Sequence, residues 1–106
     1  VLAERLGLSH QALFDVVSNS SGNSWAMSTY CPVPGPVPGS PANRDYRPGF
    51  SAALMAKDLG LAQESAQASG ANTPLGAHAL DLYRRFLDAG GADKDFSGII
   101  EMLREG

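Results

Sequence analysis

Residues Gly49 to Ala62 read GFSAALMAKDLGLA. A helix turns about 100° per residue, so Phe50, Leu54 and Leu61 share one stripe, and Lys57 belongs to it. Met55, Leu59, Ala62 and Ala66 form a second apolar strip on roughly the opposite side. A helix apolar on two faces is expected to be enclosed by protein on both. A lysine within such a stripe needs an answer for its charge, because an unpaired buried ammonium is costly. The candidates are the neighbouring Asp58, an anionic or polar ligand, or water reached by a side chain that lays its methylenes along the stripe.

Downstream, Ser69-Gly70 stops this helix, and Thr73-Pro74 opens another with a threonine cap and a first-turn proline. Its apolar positions are Leu75, Ala79, Leu82 and Phe86, widened by Leu80, Tyr83 and Leu87, and Gly90-Gly91 ends it. Asp93 or Asp95 then caps a last helix, KDFSGIIEMLRE, with Phe96, Ile99, Ile100 and Leu103 expected inward. His78 is expected to pack or hydrogen-bond within this bundle.

Upstream, Ser9 caps a helix through HQALFDVVSN, and NSSGN breaks it. The short segment SWAMSTY follows, opened by Asn23 or Ser24 and stopped by Pro32. Trp25 and Tyr30, five residues apart, lie about 140° apart on a regular helix. Both border one cavity only if the segment is short or its end unwinds. Residues 31–48, CPVPGPVPGSPANRDYRP, hold most of the prolines and several glycines. Prolines deny a strand its hydrogen bonds, and no hydrophobic core is expected from this composition. The interleaved Tyr30, Tyr46 and Phe50 predict an ordered loop laid on the surface. No stretch alternates with period two, so the fold class is all-α. The opening VLAERLG lacks a cap and stops at Gly7, which predicts the last turns of a longer helix and a chain that is the tail end of a larger protein.

Composition narrows the function. The chain has 106 residues and a formal charge of −3, enough for one small domain. The nearest thing to a basic patch is Arg84-Arg85, so nucleic-acid binding and attraction to anionic membranes lack an electrostatic basis. No apolar run approaches the roughly 20 residues of a bilayer span. The single cysteine, Cys31, excludes an internal disulfide, suits a reducing compartment and reads as an inert buried thiol. His10 and His78 lie far apart outside any ligand-spaced motif, so no metal is expected.

The string MAKDLGLA after Gly-Phe, preceded by SNSSGNSWAMSTYCPVPG and followed by DFSGIIEMLRE, resembles the C-terminal domain of the β-hydroxyacid dehydrogenases over nearly the whole chain. The CPVPG loop is closest to the 3-hydroxyisobutyrate branch. The resemblance implies that residues 1–106 form the C-terminal helical substrate and dimerisation domain of a 6-phosphogluconate-dehydrogenase-like enzyme, with residues 1–6 ending an interdomain helix. The Rossmann domain, the glycine-rich phosphate loop and the catalytic lysine of the family have no counterpart in this chain, so no catalytic residue is assigned here. Lys57 matches the family lysine that approaches the cofactor. Asp58, Trp25, Tyr30 and Phe50 match residues at the substrate pocket. The implied activity is oxidation of 3-hydroxyisobutyrate to methylmalonate semialdehyde with NAD, NADP being equally compatible with this segment, in valine catabolism. The segment alone is expected to be inactive. The implied partners are a small 3-hydroxy acid and a second copy meeting through the helical domain. The implied compartment is cytoplasm in a bacterium or mitochondrial matrix in a eukaryote. Two other readings are a sister 3-hydroxyacid dehydrogenase or semialdehyde reductase, and a non-catalytic helical dimerisation module.

Overall fold

A computed structural model describes residues 1–106. The helices are α1 (Leu2–Arg5), α2 (His10–Ser18), α3 (Trp25–Ser28), α4 (Ala52–Ser69), α5 (Pro74–Phe86) and α6 (Ile99–Glu105), with 3-10 turns at Pro41–Arg44 and Phe96–Gly98. The β pairing consists of one isolated bridge, Ser51 to Asp95, so the chain is all-α as the sequence requires. Local chemistry sets most boundaries. The side chains of Ser9, Ser24 and Ser51 accept from the backbone amides of Ala12, Met27 and Leu54, each satisfying a donor that the first turn leaves orphaned. Gly70 ends α4 in the left-handed region at φ 73°, which a residue with a Cβ adopts only with strain. Thr73 behaves differently from expectation: its hydroxyl bonds Gln63 Oε1 at 3.1 Å and makes no cap, tying α5 to α4 instead.

The α4 helix packs on α5 through one face only. That face is lined by alanines, with Ala52, Ala56 and Ala66 buried and Met55 and Leu59 half-buried, while Ala62 is exposed. Small residues let the helices approach closely: a Cβ added to Gly76 on α5 would lie 2.7 Å from Gln63 Nε2 on α4. The opposite stripe is open. Leu54 is 44% exposed, Leu61 is 53% exposed and Lys57 is exposed beside them, so enclosure on both faces does not arise within this chain. His78 and Leu103 are also exposed, and Leu75 is 85% exposed, contrary to their expected inward packing. The reason is visible in the dimensions. The radius of gyration is 14.9 Å, with extents of 43 × 31 × 25 Å, against about 13 Å for a compact domain of this length, so the chain is elongated and leaves one side of α4 and α5 uncovered.

The largest departure from the sequence reading is residues 31–48. The core is built on them: Cys31, Val33, Ala42 and Tyr46 cluster with Ile100 of α6, flanked by Phe14, Met27 and Val37. Cys31 is buried and free, as expected. Prolines make this burial possible, because each removes a backbone donor that would otherwise need a partner. Asn43 supplies most of the remaining polar closure. Its Nδ2 donates to the Val37 carbonyl at 2.8 Å and to Ser40 Oγ at 3.0 Å, and its Oδ1 accepts from the Gly35 amide at 3.0 Å. Arg44 Nη1 adds a bond to the Gly39 carbonyl at 3.0 Å. The segment is therefore a self-bonded loop with an apolar underside, not a surface strap.

Tyr46 anchors it. Its ring is buried although its backbone sits at φ 55°, an unfavourable region for a residue with a Cβ, and its hydroxyl donates to the Pro32 carbonyl at 2.8 Å. Tyr46→Phe keeps the ring and loses that bond. The expected loss is about 1 kcal/mol in urea unfolding, and an unchanged midpoint would show that the carbonyl finds another donor.

The chain ends are pinned together. Glu4 of α1 takes a forked bond from Arg104 of α6, with Nη2 at 2.6 Å and Nε at 3.1 Å, and His10 Nε2 lies 2.7 Å from the same carboxylate. Arg5 Nη2 also donates to the Arg104 carbonyl at 3.0 Å.

Candidate functional site

Trp25 and Tyr30 come from one short segment and Phe50 from another, and the fold links them through a fourth ring, Phe96. Trp25 stacks on Tyr30 with centroids 5.0 Å apart, Tyr30 stacks on Phe96 at 5.1 Å, and Phe50 meets Phe96 edge-on at 5.9 Å. The 140° problem posed by the Trp25–Tyr30 spacing is solved as the sequence allows: α3 ends at Ser28, and the chain unwinds before Tyr30. The offset and edge-on geometries are those that aromatic quadrupoles favour. Trp25 remains 61% exposed, so the outer end of this tier presents an indole face to whatever covers it.

One buried carboxylate holds the tier. Asp95 has no solvent exposure. Its Oδ1 accepts from Tyr30 Oη at 2.6 Å, from the Gly49 amide at 3.0 Å and from the Phe50 amide at 3.1 Å. Its Oδ2 accepts from the Ser97 amide at 3.0 Å and from Ser97 Oγ at 2.5 Å. Backbone bonds extend the tie: Asp95 N–H donates to the Tyr46 carbonyl and Phe96 N–H to the Phe50 carbonyl, both at 2.8 Å. Tyr83 of α5 fixes the other side of Phe96 by donating to its carbonyl at 3.0 Å. Burial pushes the Asp95 carboxyl up, but the bonds from Ser97, Tyr30 and the Phe50 amide outweigh it and hold the group below its ordinary value. Burial, and then the Asp95 bond, push the Tyr30 hydroxyl up to about 12, so it stays a protonated donor.

Sequence reasoning placed Asp95 as a possible helix cap, which it is, and missed this larger role. The local signal, an aspartate two residues before a serine, was legible. Its bonds to Tyr30 and Gly49 span 65 and 46 residues and leave no periodic trace.

Lys57 and Asp58 stand apart from the tier, on the second turn of α4. Both are exposed, and the ion pairs of the chain lie elsewhere, at Glu4–His10, Glu4–Arg104, Asp81–Arg85 and Lys94–Glu101. Of the three answers open to its charge, the Asp58 pair is absent and the exposed side chain is left to water. Leu54 and Leu61 on the same stripe are likewise uncovered. The most enclosed hollow is not here. It measures about 80 Å³ and lies between Glu4, His10, Phe14, Met27 and Cys31, well below the roughly 300 Å³ at which ligand pockets begin. It is a packing gap under the Glu4 cluster. Trp25, Tyr30 and Phe50 thus form an aromatic wall whose outer end, at Trp25, is open to solvent.

Acid should loosen this architecture in a defined window. Hydrogen bonds from Arg104 and then His10 hold the Glu4 carboxyl at about 2, against an ordinary value of 4.5. Both Glu4 and Asp95 are lowered in the folded chain, so their contribution is fully present above the unfolded value and is lost as pH falls through the folded one. Urea midpoints are expected to be level with respect to these groups above about pH 5 and to fall steadily toward pH 2. Glu4→Gln should flatten part of that slope. A slope identical to the parent chain would remove Glu4 from the account.

The chain is similar to known proteins over nearly its whole length. A family model described as NAD-binding of NADP-dependent 3-hydroxyisobutyrate dehydrogenase matches residues 1–103. A probable 3-hydroxyisobutyrate dehydrogenase of Mycobacterium tuberculosis is 62% identical over 104 residues, covering 98% of this chain and 35% of the relative. An NAD-dependent L-serine dehydrogenase of Pseudomonas aeruginosa is 54% identical over 97 residues, covering 92% of this chain and 33% of that one. Among solved structures, the Mycobacterium tuberculosis 3-hydroxyisobutyrate dehydrogenase with L-serine superposes with a TM-score of 0.93 at 61% identity, over 97% of this chain and 35% of that one. The chain thus spans about a third of the length of the relatives it matches.

Proposed function

We propose a function for a chain that belongs to the NAD-binding family of 3-hydroxyisobutyrate dehydrogenases: it is the helical part of an oxidoreductase acting on a small 3-hydroxy acid. In this reading residues 1–106 are a C-terminal domain of the 6-phosphogluconate-dehydrogenase type, and a Rossmann domain elsewhere in the protein carries the dinucleotide. The observation that carries it is the open stripe of α4, where Lys57 has no partner and Leu54 and Leu61 have no cover. An exposed apolar stripe around one cation suits the face that a bound dinucleotide and its domain would close against.

The residues fit a nicotinamide cofactor: the free ammonium offers a charge to polar oxygens, and the leucines offer apolar cover to a ring. When bound, NAD supplies the hydride acceptor. This chain supplies the surroundings. Lys57 places positive charge beside the reacting centre, Asp58 orients that ammonium on closure, and Trp25, Tyr30 and Phe50 exclude water and grip the substrate's carbon skeleton. The proton of the substrate hydroxyl goes to a base outside this chain, since Lys57 is the one lysine of the α4 stripe and is assigned to the cofactor. Residues 1–106 alone are therefore inactive. Oxidation of 3-hydroxyisobutyrate to methylmalonate semialdehyde, a step of valine catabolism, is the leading reaction, because a probable 3-hydroxyisobutyrate dehydrogenase is 62% identical to this chain over the 104 residues they align.

A second substrate, L-serine, is supported by the 54% identical L-serine dehydrogenase and by the L-serine in the matched structure. Assay of the full-length protein with NAD separates them. Turnover is expected on 3-hydroxyisobutyrate and, to a lesser degree, on L-serine. No NADH from either would sink the enzyme reading and leave a helical dimerisation module.

A further inference from the structure

Resting on the function just proposed, we infer that Asp95 is the positioning residue of the substrate pocket, aligning Tyr30 and the Gly49–Phe50 backbone through one carboxylate oxygen. Asp95 itself is fully enclosed, with all of its carboxylate bonds made to the protein. Its Oδ1 instead gathers the hydroxyl of one pocket residue and the amide of another, with Gly49 between them. Tyr30 has a single hydroxyl proton, and that proton is committed to Asp95, so toward a substrate its oxygen acts only as an acceptor. The ring is clamped between Trp25 and Phe96, which leaves rotation about the ring axis and tilt as its remaining freedoms. The Asp95 bond removes the tilt.

Gly49 completes the socket. A Cβ built there would lie 2.7 Å from Tyr30 Oη and 3.8 Å from Asp95 Oδ1. Gly49 is not among the residues with positive φ, so glycine is needed for space and not for backbone freedom. The hydroxyl of Tyr30 is thus fixed by an acceptor on one side and by a missing methyl on the other. Because Phe50 stands two residues ahead of α4, the same oxygen also sets how the Lys57 helix starts.

The test uses the full-length enzyme with 3-hydroxyisobutyrate and NAD. Asp95→Ala is expected to raise KM for the hydroxy acid about tenfold or more, with a smaller change in kcat, as loss of ground-state positioning does. Asp95→Asn keeps an oxygen for the Tyr30, Gly49 and Phe50 donors. Its amide nitrogen is met by a turned Ser97 hydroxyl but loses the Ser97 N–H bond, so stability falls while KM should return to within about threefold of the parent enzyme. Gly49→Ala leaves Asp95 intact and displaces Tyr30, and should reproduce the KM defect of Asp95→Ala. In Tyr30→Phe, which lacks the clashing oxygen, adding Gly49→Ala should cost nothing more. Should Asp95→Ala fail to fold, the Gly49 and Tyr30 pair decides by itself. KM rising in step with lost thermal stability across all variants, Asp95→Asn as damaging as Asp95→Ala, or multiplying Gly49 and Tyr30 effects would each overturn the proposal. If the parent protein turns over no hydroxy acid, the functional reading fails, and Trp25 emission, isolated by subtracting Trp25→Phe, decides the positioning role. A shift in Gly49→Ala absent from Asp95→Asn supports it; identical emission in every variant overturns it.

Discussion

Replacing Asp95 with alanine is expected to lower the stability of the chain by about 3–5 kcal/mol, read from urea unfolding followed by circular dichroism. Three backbone amides and two hydroxyls lose their acceptor or the local turn that depends on it: Tyr30, Gly49, Phe50 and both donors of Ser97. A donor left buried and unpaired costs about 1–3 kcal/mol, and water entering the half-buried side toward Tyr30 recovers a part. Domains of this size hold about 5–15 kcal/mol in total, so a single side chain here decides much of the margin. The damage should reach both ends of the molecule, because Asp95 ties the unwound end of α3, the start of α4 and the 3-10 turn before α6. Amide exchange should accelerate together at Gly49, Phe50 and Ser97. A loss below about 1 kcal/mol would mean that the backbone bonds around Asp95, and not its carboxylate, hold these segments together.

The second large effect is the reverse case, a residue whose removal should leave the fold alone. Lys57 makes no ion pair and lies exposed on α4. Lys57→Ala is therefore expected to change stability by no more than about 0.5 kcal/mol. In the full-length enzyme the same substitution should lower kcat/KM by about a hundredfold or more, the scale seen when one preorganised charge or donor is taken from a closed site. Lys57→Arg should recover part of that, since it restores the charge but not the compact ammonium. Near-normal turnover in Lys57→Ala would break the link between the open stripe and the cofactor. The contrast between the two residues is itself informative. On the expected outcomes, Asp95→Ala costs stability and, through Tyr30, substrate fit, whereas Lys57→Ala costs turnover and no stability.

Much of the local architecture was legible in the sequence. Serines at positions 9 and 24 cap the helices that follow them, and Gly7 and Gly70 take the left-handed conformation that stops the helices before them. By contrast, α4 starts at Ala52 behind a Ser51 cap and not at Gly49, which leaves Phe50 outside the helix whose stripe it was expected to share. These signals act within one or two turns, so neighbouring residues suffice to read them. The meeting of Trp25 with Tyr30 was readable for the same reason, as a condition on how soon α3 unwinds. The stripe containing Lys57 was legible as a stripe, but periodicity says which residues share a face and not whether anything covers it. Here nothing in the chain does.

Composition misled where the answer depended on distant partners. Residues 31–48 look like surface because Pro and Gly seldom fill a core, yet Val33, Ala42 and Tyr46 find Ile100 across the molecule and Asn43 closes the loop on itself. Glu4 and Arg104, 100 residues apart, read as ordinary helix-surface charges until the ends meet. The sequence by itself determined an all-α chain, several of its helix stops and caps, a free buried cysteine and a lysine on an apolar stripe, since each rests on steric and hydrogen-bonding rules that operate within a few residues. Only the tertiary structure decided that the proline-rich loop turns its underside into the core, that Phe96 joins Trp25, Tyr30 and Phe50 in one tier, and that Asp95 holds them. Those outcomes depend on which donors arrive at one buried oxygen from segments far apart in the chain, and no local pattern encodes that arrival.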